Sequence, residues 1–357
     1  MVSALLKKPQ LDYLNNLKIF LITLVVLQHS AGAYTAGENW LIINPLRVSL
    51  FKPVLTINST FFMGLFFFIS AFFVPTSLLR YRRNEFISNK IKRLIIPTII
   101  GILTVLPLSY YAQVYPDNFA NFYITYFTSG AFNFGHMWFL VQLFIYTCLF
   151  ALFYWLIPGL ILKQNKPLTW LQVISFITVL CALSYLVALI SPINQWYWKH
   201  LVEPYHLPQY ISLFTLGIIA YRRDWLDLTS YRFGLFWLII SVLAISYRVI
   251  IDINGIDQNL LSKTLWTSVQ CVSLCIGLLI MFREFGNYSN PALKFLSDNA
   301  FAVYIIHVPV VVWLQRGLLE LTLRPINKFL ITLIVSYCAA YGLSYLFRKS
   351  RLISQFI

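Results

Sequence analysis

The chain has 357 residues, of which 59% are hydrophobic, 17% aromatic and only 11% charged, with a mean hydropathy of +0.73. Soluble domains carry about 25% charged residues, and here long apolar runs stand between polar clusters, which excludes both a soluble domain and the alternating pattern of a β-barrel. The net charge of +15 is accounted for by membrane topology rather than by a nucleic-acid partner.

The pattern predicts an all-α, polytopic membrane bundle forming one transmembrane domain, 1–357. Ten candidate spans follow in chain order: 17–34, 58–77, 94–113, 136–158, 169–190, 209–221, 233–251, 262–282, 296–315 and 328–347. The first is entered at Lys18 and carries His29 eleven residues later, with nothing acidic after it until Glu38. On an α-helix that separation is a rise of roughly 16 Å, which predicts His29 at mid-depth. With Lys7 and Lys8 before it and Ala31-Gly32-Ala33 at its end, the stretch also has the shape of a cleavable signal peptide. Its length and the nine later spans favour a retained helix.

Between the second and third spans, "LLRYRRNEFISNKIKRLIIP" sets Arg80, Arg82, Arg83, Lys90, Lys92 and Arg93 against Glu85 alone. Such a run is a topology signal touching anionic lipid or a phosphate site, for which Lys90 and Arg93 stand one α-helical turn apart. The fourth span opens on "HMWFL" with His136, the sixth is the shortest, and the ninth carries His307 three residues after Tyr304, on the same helical face.

With the N-terminus in the cytoplasm, 19 Lys and Arg fall on cytoplasmic segments and 8 on external ones, which predicts cytoplasmic N- and C-termini in the inner membrane. The longest loops, 34–57, 114–135 and 191–208, are then external. Their aromatics, as in "SPINQWYWKHLVEPYHLPQY", suit an interfacial belt or a sugar-stacking platform. All five cysteines fall inside spans and read as small apolar residues; no disulfide, metal site or permanently bound cofactor is assigned.

Ionisable groups at bilayer depth are costly and commonly functional. No Asp or Glu lies mid-span, which argues against a proton- or cation-coupled transporter, and the histidines are left. A neutral imidazole is an available general base near pH 7; its alternative is a helix–helix hydrogen bond.

Together these residues resemble membrane acyltransferase family 3, nearest to its glucan biosynthesis protein C-like branch. The family's opening aspartate–any–leucine–arginine run, with a histidine eleven residues beyond, is matched by "LNNLK" and His29, with Asn15 and Lys18 in the acidic and basic places. Lysine keeps the charge there but not the bidentate fork. Lys90-Ile91-Lys92-Arg93, "HMWFL", "LPQYISLFTLGIIAYRRDW" and "LSDNAFAVYIIHVPVV" match later motifs in order, from about residue 11 to 312. The resemblance implies an O-acyltransferase with acyl-CoA as cytoplasmic donor, an acetyl or succinyl group transferred, and an external glycan or glycolipid hydroxyl as acceptor. It implies His29 and His307 as catalytic residues, and Lys18, Lys90 and Arg93 as donor ligands. Substrate contacts fall to Asn16, His136, Trp138, Glu203, His206 and Tyr304. The competing readings are a transporter or flippase for a lipid or oligosaccharide, and a structural partner in a glycan-synthesis complex.

Overall fold

The computed structural model describes residues 11–256, 258–350 and Gln355; Lys7, Lys8 and Arg351 lie outside them. Among the described residues there is no strand, only the isolated bridges Thr35–Val48 and Tyr197–Val202, which pinch two loops. Ten helical rods make the bundle: α1 Asp12–Gly32, α2 Ser49–Arg80, α3 Arg83–Val114, α4 Gly135–Leu156, α5 Trp170–Ile190, α6 Leu207–Arg223, α7 Tyr231–Ile253, α8 Leu260–Phe285, α9 Pro291–Gly317 and α10 Pro325–Lys349. All but α6 are long and apolar enough to cross a bilayer.

α6 has 17 residues, about 25 Å of rise against a hydrocarbon core of about 30 Å. Its route is nevertheless fixed at both ends. α5 starts just beyond the 162–166 segment and ends in the 191–206 loop that leads into α6. The far end of α6 then returns to that segment, where Gln164 N donates to Arg222 O (2.9 Å) and Lys166 N to Arg223 O (3.1 Å). α6 thus covers the distance α5 covers, in the opposite direction. Its grip on α2 is close: a Cβ at Gly217 would stand 2.3 Å from the Phe68 carbonyl oxygen and 2.9 Å from Ala71 Cβ. Small residues at such a crossing let backbones approach, which is how packing holds helices in lipid.

Three boundaries differ from the sequence reading, each for a local reason. α1 begins at Asp12, so His29 falls in its last turn rather than midway along the helix. α2 begins in the 34–57 stretch expected to be loop, because Ser49–Phe51 and Lys52–Ser59, with Pro53 in the first turn, stack ahead of the apolar segment. The rod breaks at Phe61 (φ −140°), and Thr60 O accepts from Gln209 Nε2 at 2.6 Å. α3 absorbs Lys90, Lys92 and Arg93 into helix, and it contains two π-helical stretches, Ile91–Ile95 and Gly101–Val105. Each lies just before a proline, Pro97 or Pro107. A proline clashes with the carbonyl four residues back, and the wider π turn relieves the clash. The carbonyl freed by Pro107, Leu103 O, accepts from Tyr123 OH (3.0 Å) on a short helix, Phe119–Thr128, inside the 114–135 loop.

α1 packs against α9, α10, α8 and α2, and so stands at the centre of the bundle. One face gathers the start of α1 and the loops after α6 and α8: Asn16 Nδ2 donates to Gly286 O and Tyr288 O, and Arg283 to Leu226 O and Thr229 O. On the opposite face Gln113 donates to Leu41 O, Phe134 N to Lys199 O and Arg316 to Tyr115 O.

Candidate functional site

Three histidines, from α1, α4 and α9, converge near that opposite face. His29 Nδ1 lies 2.7 Å from His307 Nε2, their rings are parallel within 5°, and their centroids are 4.9 Å apart. That separation is close to the nitrogen–nitrogen distance plus two ring radii, so the rings meet edge to edge. The His136 ring stands at 69° to His307, with centroids 5.0 Å apart.

Hydrogen-bond partners assign the protons. His307 Nδ1 lies 2.7 Å from Tyr304 O and 3.2 Å from Val303 O. Carbonyls only accept, so Nδ1 holds the proton and neutral His307 presents a lone pair at Nε2. His29 Nδ1 must then donate to it. His29 is left with a lone pair at Nε2, which has no hydrogen-bond partner among the described residues, and the side chain is only partly buried. His307, fully buried, is the group that sets this polarity.

His136 is held by a different device. Pro309, inside α9, has no N–H to give Ile305 O, and that carbonyl accepts from His136 Nε2 at 2.9 Å. The His136 lone pair is therefore on Nδ1, buried and unpaired among the described residues. Its backbone is fixed as well, because the Tyr304 hydroxyl donates to His136 O. The turn carrying it, Gly135–Met137, has Gly135 at φ +46°, a region that favours glycine. Asn133 Oδ1 accepts from Gly135 N at 2.8 Å, while Tyr110 pairs with the Asn133 amide.

His29 is clamped from above. Gln315 Nε2 donates to His29 O (3.0 Å) and Ser30 O (3.1 Å), while its Oε1 accepts from Trp40 Nε1 (2.7 Å). Trp40 stacks on the His29 ring with centroids 4.9 Å apart. Gly32 makes room for it, since a Cβ there would stand 2.8 Å from the indole. The loop holding Trp40 is fastened to α10 by Lys328 Nζ, which donates to Asn44 Oδ1 (2.9 Å), and by the Tyr34–Thr332 hydroxyl pair (3.0 Å).

A second group adjoins the histidines through 136–139. Trp138 stacks on Tyr210 (5.3 Å, 21°), which stacks on His206 (5.5 Å, 17°). Glu203 accepts from Asn194 N (2.6 Å) and lies 3.7 Å from His206. The structure thus brings together His29, His307, His136 and Tyr304, with Trp138, His206 and Glu203 beside them. Asn16 stands apart, its amide engaged by the α8–α9 loop.

Lys18 lies over the Phe73 ring (4.9 Å) and Lys90 over Phe86 (5.3 Å). A π-helical stretch follows Lys90 and takes in Arg93, which is exposed. Lys18 and His29 lie on one helix within about 20° of each other around its axis, with buried Ile22 and Val25 between. Sequence reasoning missed Trp40, Gln315 and Tyr210. Gln315 had a signal, a buried amide on the His307 helix, whereas Trp40 read as an ordinary loop aromatic.

The chain is thus a many-pass helical membrane protein whose candidate site is an imidazole pair with one nitrogen unengaged among the described residues. Residues 11–349 match the family model described as an acyltransferase domain, and the chain belongs to that family, as a membrane acyltransferase. No curated protein and no solved structure matches the chain.

Proposed function

We propose that the protein is an O-acyltransferase of the inner membrane, moving an acetyl or succinyl group from cytoplasmic acyl-CoA to a hydroxyl of an extracytoplasmic glycan or glycolipid. The observation that carries the reading is the unengaged His29 Nε2, its lone pair fixed by the His307 contact. The acceptor hydroxyl hydrogen-bonds to His29 Nε2 and gives up its proton there as its oxygen attacks the thioester carbonyl. The tetrahedral intermediate collapses by breaking the carbon–sulfur bond, and the proton on His29 Nε2 passes to the departing thiolate, giving free CoA and the ester. Throughout, His29 Nδ1–H stays on His307 Nε2. No hydrogen bond or ion pair joins an acidic side chain to these rings among the described residues.

On the donor side, Lys18, Lys90 and Arg93 are assigned to the nucleotide phosphates, as charge-assisted contacts. Buried Ile22 and Val25 lie between Lys18 and His29 on one strip of α1, and the pantetheine arm is assigned to that strip. The acceptor approaches beside His136, Trp138 and the 191–208 loop.

The test is acyl transfer by purified protein in vesicles with labelled acetyl-CoA and succinyl-CoA, alongside analysis of cell-envelope glycans. His29→Gln keeps polarity but accepts no proton, and it is expected to lower transfer by about 10²–10⁴-fold with donor binding intact. Near-normal transfer by that variant overturns the base assignment.

A further inference from the structure

A cavity of about 470 Å³ opens between α2, α5, α6 and α8, away from the three histidines, none of which lines it. Its walls are apolar, with Phe176, Leu216, Ile276 and Leu279 among them. The volume lies within the range of about 300–1,000 Å³ typical of ligand sites. The lining also carries Gln172, Ser175 and Thr229, and two donors without acceptors among the described residues stand out at one end. Arg223 lines the cavity, its guanidinium 5.9 Å from the Trp225 ring and without an ion pair among the described residues. Trp225 lines it too, is only 8% exposed, and has its indole Nε1–H buried with no acceptor among the described residues. A permanently charged donor thus stands beside a buried one that lacks the acceptor buried donors ordinarily have, at one end of a largely apolar chamber.

We propose that this cavity is a binding site for one anionic phospholipid, with an acyl chain among Phe176, Leu216, Ile276 and Leu279 and phosphate oxygens accepting from Arg223 and Trp225 Nε1. The donors require an oxyanion and the walls require a hydrocarbon chain, and a membrane lipid supplies both in one molecule. Arg223 ends α6 on the face that carries the start of α1, where the basic run follows α2. Cations on that face add to the attraction for an anionic headgroup. The site shares no residue with the proposed acyl-transfer centre, so its test stands apart from that reading.

The experiment is native mass spectrometry of the full chain released from detergent after incubation with dioleoyl phosphatidylglycerol, dioleoyl phosphatidylcholine or inorganic phosphate. One phosphatidylglycerol is expected to stay bound at energies that remove phosphatidylcholine, and inorganic phosphate is expected not to displace it. Arg223→Gln and Trp225→Phe should each weaken its retention, the former by about tenfold. Leu216→Trp and Ile276→Trp, which fill the chamber from two sides, should abolish it. Equal retention of both lipids, retention unchanged in Arg223→Gln, displacement by phosphate, or full retention in whichever filling variant folds would overturn the proposal.

Discussion

Pro309 and His136 are joined through one oxygen: the Ile305 carbonyl that Pro309 leaves without a helical donor is the one His136 Nε2–H engages. A residue usually disruptive in a helix here supplies the acceptor that orients an imidazole on another helix. Pro309→Ala would restore an N–H to compete for that oxygen while improving helix propensity. The expected outcome is a protein at least as heat-stable as the parent with transfer slowed severalfold. Thermal unfolding measured with the transfer rate decides it, and unchanged transfer refutes the role.

His307 is expected to matter through the acceptor it presents to His29. His307→Phe removes that lone pair and lets the His29 proton sit on either nitrogen, so transfer should fall by about 10²-fold or more, as when a base loses the partner fixing its tautomer. His307→Gln, whose side-chain oxygen accepts, should recover part of the loss. Equal rates for the two variants would reduce His307 to a packing residue.

Gln315 and Trp40 hold His29 from the loop side. Gln315→Leu breaks three hydrogen bonds at once, whereas Trp40→Phe breaks one and keeps a stacked ring. A neutral hydrogen bond contributes about 1 kcal/mol, so transfer should drop roughly fivefold in Trp40→Phe and further in Gln315→Leu. If Gln315→Leu transfers as fast as the parent, the clamp has no bearing on the base.

Gly217→Val should be severely destabilising, because its Cβ meets Phe68 O on a backbone that cannot step aside. Overpacking of this kind costs typically 1–3 kcal/mol. The readout is the midpoint of thermal aggregation in detergent. A midpoint equal to the parent's would mean α2 and α6 do not touch as described.

Orientation is tested by labelling. Cysteines placed in 191–208 are expected to react with an impermeant reagent from outside intact cells, and those in 80–83 only after permeabilisation. The reverse pattern exchanges the donor and acceptor sides.

Nine of the ten expected spans were legible because apolar runs of bilayer length stand out, whereas the sixth is a helix of 17 residues that falls short of that length. Their ends were harder. The onset of α2 is polar and proline-containing, and α3 continues through its cations, neither of which hydropathy registers. In the site, His29 and His307 stood out as imidazoles in apolar runs. That they touch depends on α1 lying against α9, a long-range pairing no local pattern encodes. Lys90 and Arg93 were set on an α-helical ruler, and the π-helical stretch Ile91–Ile95 that takes in Arg93 leaves no mark in hydropathy.

The two π-helical stretches in α3 divide it into three rods joined end to end. The stretch beside Lys90 packs on α4, whereas the Gly101–Val105 stretch and the Leu106–Val114 rod pack on α9. A helix whose pitch changes twice turns a different face to its surroundings in each piece, so α3 meets α4 through one rod and α9 through another, and the latter reaches the His136 turn by way of Tyr110 and Asn133.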